Sequence, residues 1–364
     1  MQDQLKPEAL EAMLGVAKVA VRRASEVCRI VQGSLDRVRA VTKDDDSPVT
    51  VADFAAQAVV ARTLRQRLGS FRLIAEESSE YLRRPEHAAQ LSAAVEAARH
   101  VWPEASAGAL LEAIDDGTGT GEAGVSNGFW TLDPIDGTKG FLRGQQYAVC
   151  LAYIVGDSPV VAVLGCPNLP ADFEAALDVK DAAGCLYASQ RGAGGAGDRA
   201  GVAVGACVLT DREVPMRVEP RRGSSDRVPI LVESFEPSHS RRDSSEAIMR
   251  EVVERRFGRG APVPAVRIDS QCKYAVVARG QADVYLRLPS KRGYVEKIWD
   301  HAAGALIAEQ AGCVVSDARG KPLDFSCGPD LARNRGVVVA PPGLHADVIG
   351  AIAGLGMSEE SATR

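Results

Sequence analysis

The 364-residue chain contains no apolar run long enough to cross a bilayer, which takes about 20 residues. No membrane partner is therefore expected. None of its eight cysteines (28, 150, 166, 185, 207, 272, 313 and 327) stands in a Cys-x-x-Cys pair. That argues against a zinc site and a dense disulfide framework, and for reduced, buried thiols. A basic excess is also missing, since 43 Lys and Arg against 48 Asp and Glu leave a formal net charge of -5. Nucleic acid, whose backbone favours a basic surface, is not an expected partner. A small anion is still admissible, because a few cations can invert the field inside one cleft. Residues 1–7 have neither the apolar centre of a signal peptide nor the Arg- and Ser-rich bias of a transit peptide. A cytoplasmic protein is expected, with chloroplast or mitochondrion open should a transit peptide have been trimmed. The glycine run within residues 115–124 follows no strand and ends in no Lys-Ser/Thr pair, so it is no nucleotide fingerprint.

What is present is the balance of a globular protein: 46 % hydrophobic and 25 % charged residues, in a chain long enough for one large or two ordinary domains. Apolar residues at helical spacing predict a long helix over 8–33 and another from about residue 51, with Thr50 as its cap. Residues 71–75 read as a short strand, and 87–126 as an amphipathic helical stretch that decays into the glycine-rich loop. Residues 147–155 and 160–166 read as two strands joined by the turn Gly156-Asp157-Ser158-Pro159. Further strands are predicted at 229–232, 263–268, 283–287 and 337–340, with helices at 244–257 and 297–312. Strands and helices interleave in both halves, so the fold class is α/β with two lobes and a cleft between them. The expected division is 1–156 and 157–364.

The stretch Trp130-Thr-Leu-Asp-Pro-Ile-Asp-Gly-Thr138 organises the rest. An apolar run predicts a buried strand that breaks at Pro134, across which Asp133 and Asp136 stand three apart. Carboxylates crowded on a rigid turn repel one another unless a cation lies between them, and oxygen-only clusters suit Mg²⁺. Gly137 and Thr138 then offer amides to an anion, and Thr138 can cap a following helix. Asp-Pro and Asp-Gly are also ordinary turn formers, and other segments weigh against that reading. Glu76 and Glu77 end a strand, Asp53 lies in the first turn of a helix, and Asp300 stands in Lys297-Ile-Trp-Asp-His-Ala-Ala-Gly304.

With Glu76-Glu-Ser78, Asp133-Pro-Ile-Asp-Gly-Thr138 and Trp299-Asp-His-Ala-Ala-Gly304 in this order, the chain resembles the lithium-sensitive, Mg²⁺-dependent phosphatases that include inositol monophosphatase. Lys139-Gly-Phe-Leu-Arg-Gly144, Asp269-Ser-Gln-Cys-Lys-Tyr274 and Ala282-Asp-Val-Tyr-Leu-Arg-Leu-Pro289 look like the 3'(2'),5'-bisphosphate nucleotidases of yeast and plants. The resemblance implies a layered α-β-α-β-α sandwich and removal of the 3'-phosphate of adenosine 3',5'-bisphosphate (PAP), or of its sulfated relative PAPS. It implies two or three Mg²⁺ ions held by Glu76, Asp133, Asp136, Asp300 and the Ile135 carbonyl. Asp53 and Thr138 would activate the attacking water, and the Gly137 and Thr138 amides would hold the transferred phosphate. Asp300 would also face the substrate, Ser270, Lys273 and Arg287 would bind its sugar and 5'-phosphate, and His239, beside Ser240, would stack on adenine. Two cations in that set suit a second phosphate that is kept. A monomer and inhibition by lithium are expected. An inositol phosphate phosphatase, or a nucleotide sensor without catalysis, is the alternative. The chain departs from the family at Ala75, where glycine is usual before the two acids. Some plant relatives are tuned by thiol oxidation, which raises the question of a disulfide between Cys185 and Cys207.

Overall fold

Apolar residues at helical spacing produce a 26-residue helix, α1 (Pro7–Gln32), which buries Ala17, Ala20, Val21, Ala24, Val27 and Cys28. The structure, a computed structural model, describes residues 6–34, 41–42, 48–49, 51–119, 128–192, 201–207, 213–214, 227–235, 242–289 and 293–358. Thr50, His239 and Ser240 lie outside the described residues. After α1 come the two-residue strands β1 (Val41–Thr42) and β2 (Pro48–Val49), helix α2 (Val51–Leu68) and β3 (Leu73–Ala75). Helices α3 (Glu80–Arg83), α4 (Ala88–Arg99) and α5 (Ala107–Asp115) lead to β4 (Phe129–Asp136) and α6 (Thr138–Leu142). Strands β5 (Ala148–Val155), β6 (Ser158–Cys166), β7 (Cys185–Gln190), β8 (Ala203–Ala206) and β9 (Glu213–Val214) follow. The remainder alternates: β10 (Leu231–Glu233), α7 (Arg242–Phe257), β11 (Ala265–Arg267), α8 (Cys272–Ala278), β12 (Val284–Arg287), α9 (Ala302–Ala311), β13 (Val314–Ser316), β14 (Val337–Ala340) and α10 (Pro342–Gly354).

The strands form a seven-stranded sheet in the order β3-β4-β5-β6-β7-β8-β9 and a five-stranded sheet in the order β11-β10-β12-β14-β13. Alternation along β5 sends Val149, Leu151 and Tyr153 toward α1, α2, α4 and α5, and sends Ala148, Cys150, Ala152 and Ile154 to the opposite face. On that face lie α8 and α9, whose other side meets Val232, Tyr285, Val337 and Val339 of the second sheet. Leu231, Val284, Leu286 and Val338 then face α7 and α10. Five layers result, α-β-α-β-α, and both sheets are covered on both sides. This is why β5 and β6 read as continuous apolar runs.

Three local expectations change. The stretch 87–126 is not one helix: α4 stops at Arg99, Trp102 is buried under the Arg62 guanidinium 4.5 Å from its ring, and Ser106 caps α5. The helix expected from residue 297 begins at Ala302, so Asp300 stands in the turn before α9. The expected division near residue 156 falls in the turn of the β5–β6 hairpin, and the change from one sheet to the other comes between β9 and β10. The β5–β6 hairpin cannot be cut without opening the ladder that holds the larger sheet together.

Helix α1 lies close on β6 because Gly165 has no side chain: a Cβ there would stand 2.7 Å from both Ser25 Oγ and Val21 Cγ1. Gly165→Ala should therefore destabilise the protein by about 1–3 kcal/mol, the usual cost of overpacking. Urea unfolding checks it, and an unchanged midpoint would contradict this packing.

Candidate active site

Strands β3 and β4 run parallel, and their C-terminal ends deliver Glu76 and Asp133 side by side. Ala75 pairs with Leu132, and the Glu76 amide donates to the Leu132 carbonyl at 3.2 Å. The C-terminal edge of parallel strands is where α/β folds present ligand-binding groups. Strand β4 does not break at Pro134 as expected. It shifts register between Asp133 and Asp136, a bulge that re-aims the second acid. Gly137 follows with φ +87, and a Cβ on it would approach Ser270 Cβ to 3.0 Å. Gly137, not Thr138, is the cap of α6; Thr138 takes the first helical position, and its hydroxyl donates to the Ile135 carbonyl at 3.2 Å.

These residues line one cleft of about 260 Å³. Glu76, Asp133, Ile135, Asp136 and Asp300 share its wall with Gly137, Thr138, Ser270, Lys273 and Arg287. Asp53 is not on the wall. It is buried at the start of α2, where its charge still bears on Asp133.

Burial pushes the Asp133 carboxyl well above the usual range, and the charges of Glu76, Asp136, Asp300 and Asp53 add to the effect. Burial, with Asp300 next, lifts Asp136 to about 6, although Lys273, Arg287 and the Gln271 amide at 2.6 Å oppose it. Burial also raises Asp300, against the pull of Arg287 at 3.5 Å. One oxygen of Asp133, Oδ1, is buried without a hydrogen-bond partner among the described residues. Four carboxylates and a main-chain carbonyl converging on one cleft, with a buried oxygen lacking a partner, fit a hard divalent cation.

A second group, Glu296, Asp300 and His301, also brings its ligand atoms within 4.8 Å of one another. It is already satisfied as a charge network. Glu296 binds Arg287 at 2.7 Å and His301 Nε2 at 3.2 Å, while His301 Nδ1 meets the Tyr274 hydroxyl at 2.8 Å. Burial pushes Glu296 up, but Arg287 and His301 outweigh it and hold the carboxyl at about 2. The network orients Arg287, whose guanidinium also reaches the Tyr294 hydroxyl at 3.3 Å.

Lys273 is buried in the first turn of α8, 5.4 Å from the Tyr285 ring, and makes no ion pair among the described residues. Burial lowers its pKa, with Asp136 and Asp269 working the other way. Ser270 carries φ +70, the one non-glycine residue with positive φ among those described.

Sequence reasoning missed three contributors. Gln57, on α2, holds the acidic turn by two bonds to Glu77: its amide donates to the Glu77 carbonyl at 2.6 Å and accepts from the Glu77 amide at 3.0 Å. Tyr294 lines the cleft while half exposed. Gln271 bonds to two of the site segments. A lone glutamine or tyrosine carries no signal of such roles until its neighbours are known. The methyl of Ala75 is accommodated because residue 117 is glycine; a Cβ at Gly117 would lie 2.8 Å from it. Cys185 and Cys207 are free and buried. Cys207 donates to the Cys185 carbonyl at 3.0 Å, and burial pushes both thiols up, Cys207 to about 12. Burial thus disfavours the thiolate that disulfide exchange needs.

The model of the inositol monophosphatase family matches residues 9–355. A 3'(2'),5'-bisphosphate nucleotidase of Schizosaccharomyces pombe is 38 % identical, over 95 % of this chain and 96 % of that protein. One from Emericella nidulans is 38 % identical over 93 % and 96 %, and one from Oryza sativa 36 % over 94 % and 93 %. Among solved structures, the extragenic suppressor protein suhB of Bartonella henselae superposes with a TM-score of 0.59 at 20 % identity, covering 94 % of this chain and 98 % of that one. An IMPase of Thermotoga maritima gives 0.58 at 18 %, over 94 % and 97 %. At such identity the structures speak for the fold alone. The chain belongs to the inositol monophosphatase family.

The raised value of Asp136 fixes the sign of a pH effect. Its folded value of about 6 lies above the ordinary 3.8, so the folded state holds the proton more tightly. That contribution to stability is complete below the ordinary value and is lost as pH rises through about 6. Without divalent cation, Asp136→Asn should unfold at a higher temperature than the parent above pH 7. The advantage should vanish near the ordinary value of 3.8. Thermal unfolding in chelator across pH tests this, and an equal midpoint at neutral pH would contradict the repulsion.

Proposed function

We propose that the protein is a Mg²⁺-dependent phosphomonoesterase that removes the 3'-phosphate of adenosine 3',5'-bisphosphate, giving AMP and phosphate, with PAPS as a related substrate. The observation that carries the reading is Lys273: a buried cation without an ion pair among the described residues, lining the same cleft as the acids. A single transferred phosphate would be met by the acids and the Gly137 and Thr138 amides, which line the same cleft. A second, retained phosphate gives Lys273 a partner, as the bisphosphate substrates in the relatives' names would.

Glu76, Asp133, Asp136, Asp300 and the Ile135 carbonyl would hold two or three Mg²⁺ ions. When bound, Mg²⁺ offsets the charge on the phosphate oxygens and lowers the pKa of a coordinated water. The chain's own groups do the rest. Asp53 and Thr138 would orient the attacking water, its proton passing to the Asp53 carboxylate once the Thr138 hydroxyl leaves the Ile135 carbonyl it now donates to. The Gly137 and Thr138 amides face the transferred phosphate, while Ser270, Lys273 and Arg287 anchor the sugar and 5'-phosphate. Arg287 takes part as a paired cation, because Glu296 holds it in place and its Nε has no partner among the described residues. By the resemblance, His239 and Ser240, which lie outside the described residues, would bind the adenine side of the substrate.

Asp136→Asn should cut turnover by roughly 10³-fold, equivalent to about 4 kcal/mol of lost charge stabilisation. Circular dichroism should stay unchanged, and full activity in that variant would remove the metal assignment. Lys273→Ala should raise KM for adenosine 3',5'-bisphosphate by about 10- to 100-fold, the worth of one charge-assisted hydrogen bond. Turnover of inositol 1-phosphate should move far less. Phosphate release from both esters is the measurement, and a parent enzyme preferring the inositol ester would reverse the substrate.

A further inference from the structure

Asp136 and Asp300 reach the cleft from unrelated parts of the fold. Asp136 ends a strand of the larger sheet, whereas Asp300 stands in the turn ahead of α9. Their charges oppose each other. Something other than attraction must keep them close before any cation arrives.

Gln271 touches both segments. Its main-chain amide donates to Asp136 Oδ2 at 2.6 Å. Its side-chain Nε2 donates to the Trp299 carbonyl at 2.7 Å, one residue before Asp300. Its Oε1 accepts from the Gly304 amide at 2.8 Å, in the first turn of α9. The partners fix which way the amide points, because a carbonyl can only accept and an N–H can only donate. The Gly304 amide is one of the helix-start donors that have no partner within the helix. The cap residue His301 supplies no side-chain bond, so that donor is met from outside α9.

Two further features hold Gln271 in place. Ser270, immediately before it, is kept at φ +70, which turns the chain so that the next amide faces Asp136. Gly304 lets α9 approach α8 closely: a Cβ there would lie 2.3 Å from the Tyr274 ring. Gln271 itself is buried, and all three of its bonds are short. A residue that served packing alone would not need main-chain and side-chain bonds to two segments that each carry an acid.

We infer that Gln271 is the positioning residue that sets the spacing of the Asp136 and Asp300 carboxylates, and through it the affinity of the divalent-cation site. The inference rests on the metal reading given under Proposed function. Gln271 stands in the wall of the cleft, and the role assigned to it acts through the two ligand segments it binds. It holds the ligands against their repulsion, so that less free energy is spent closing the site when the cation binds.

The test uses the full-length protein, stripped of metal, in the parent and in Gln271→Met, which keeps length and removes both side-chain bonds. Mg²⁺ is titrated by calorimetry and by the rise in unfolding temperature. KM for adenosine 3',5'-bisphosphate is then measured at saturating Mg²⁺. The expected result is a half-saturating Mg²⁺ concentration higher by about 10- to 100-fold, the usual effect of removing a residue that orients metal ligands. KM at saturating Mg²⁺ should be unchanged. Gln271→Asn keeps the amide but is too short to span both partners, and carries the same test should Gln271→Met not fold. An unchanged Mg²⁺ midpoint in a folded variant, whatever its stability, overturns the positioning role. A parent protein that takes up no Mg²⁺ overturns the metal reading itself, and with it the basis for this one.

Discussion

Repulsion among buried carboxylates is the constraint on which the rest of this structure depends. Asp133, Asp136 and Asp300 are each pushed toward protonation by burial, and each also by the charge of neighbouring acids. A fold does not gather acids in a low-dielectric cleft for stability, since each ion costs several kcal/mol to bury without a counter-charge. The arrangement is intelligible as a site held ready for a cation. Around the acids stands a scaffold of short bonds: Gln57 to the Glu77 backbone, Gln271 to Asp136 and Trp299, and Glu296 to Arg287 and His301.

The layering explains how distant segments meet. Parallel β3 and β4 place Glu76 and Asp133 at one edge of the larger sheet. The middle layer, α8 and α9, is built of small residues such as Ala302, Ala303 and Gly304, so it packs between the sheets and brings Lys273 and the Trp299–Asp300 turn to that edge. Arg287 arrives from the end of β12 in the second sheet. The cleft is thus where both sheets and the helices between them end together, a place where an α/β architecture can assemble groups from many parts of the chain.

Much of this was legible in the residues. The apolar runs of β5 and β6, the hairpin turn between them and the helical spacing of α1 follow directly from periodicity. Asp133 and Asp136 could be named from their spacing across a rigid turn, whereas Glu76 and Asp300 joined them through the resemblance of their motifs to the phosphatase family. What periodicity could not carry was decided by tertiary contact. The helical stretch stops at Arg99 with Trp102 buried just beyond it, and α9 starts only at Ala302, where Gln271 meets the Gly304 amide. The boundary expected near residue 156 fell in a hairpin because strand order within a sheet leaves no mark on sequence. Gln57 and Gln271 could not be singled out, since the groups their side chains bind stand at least 20 and 28 residues away.

The central claim is that Glu76, Asp133, Asp136 and Asp300 together hold divalent cations against a phosphoester. A crystal of the protein soaked with Mn²⁺ and AMP, with anomalous diffraction to locate the metal, tests it most directly. The account predicts anomalous peaks bounded by those four carboxylates and the Ile135 carbonyl, with the nucleotide's 5'-phosphate near Lys273. Peaks at Glu296 and His301 instead, or no metal in the cleft at all, would contradict it.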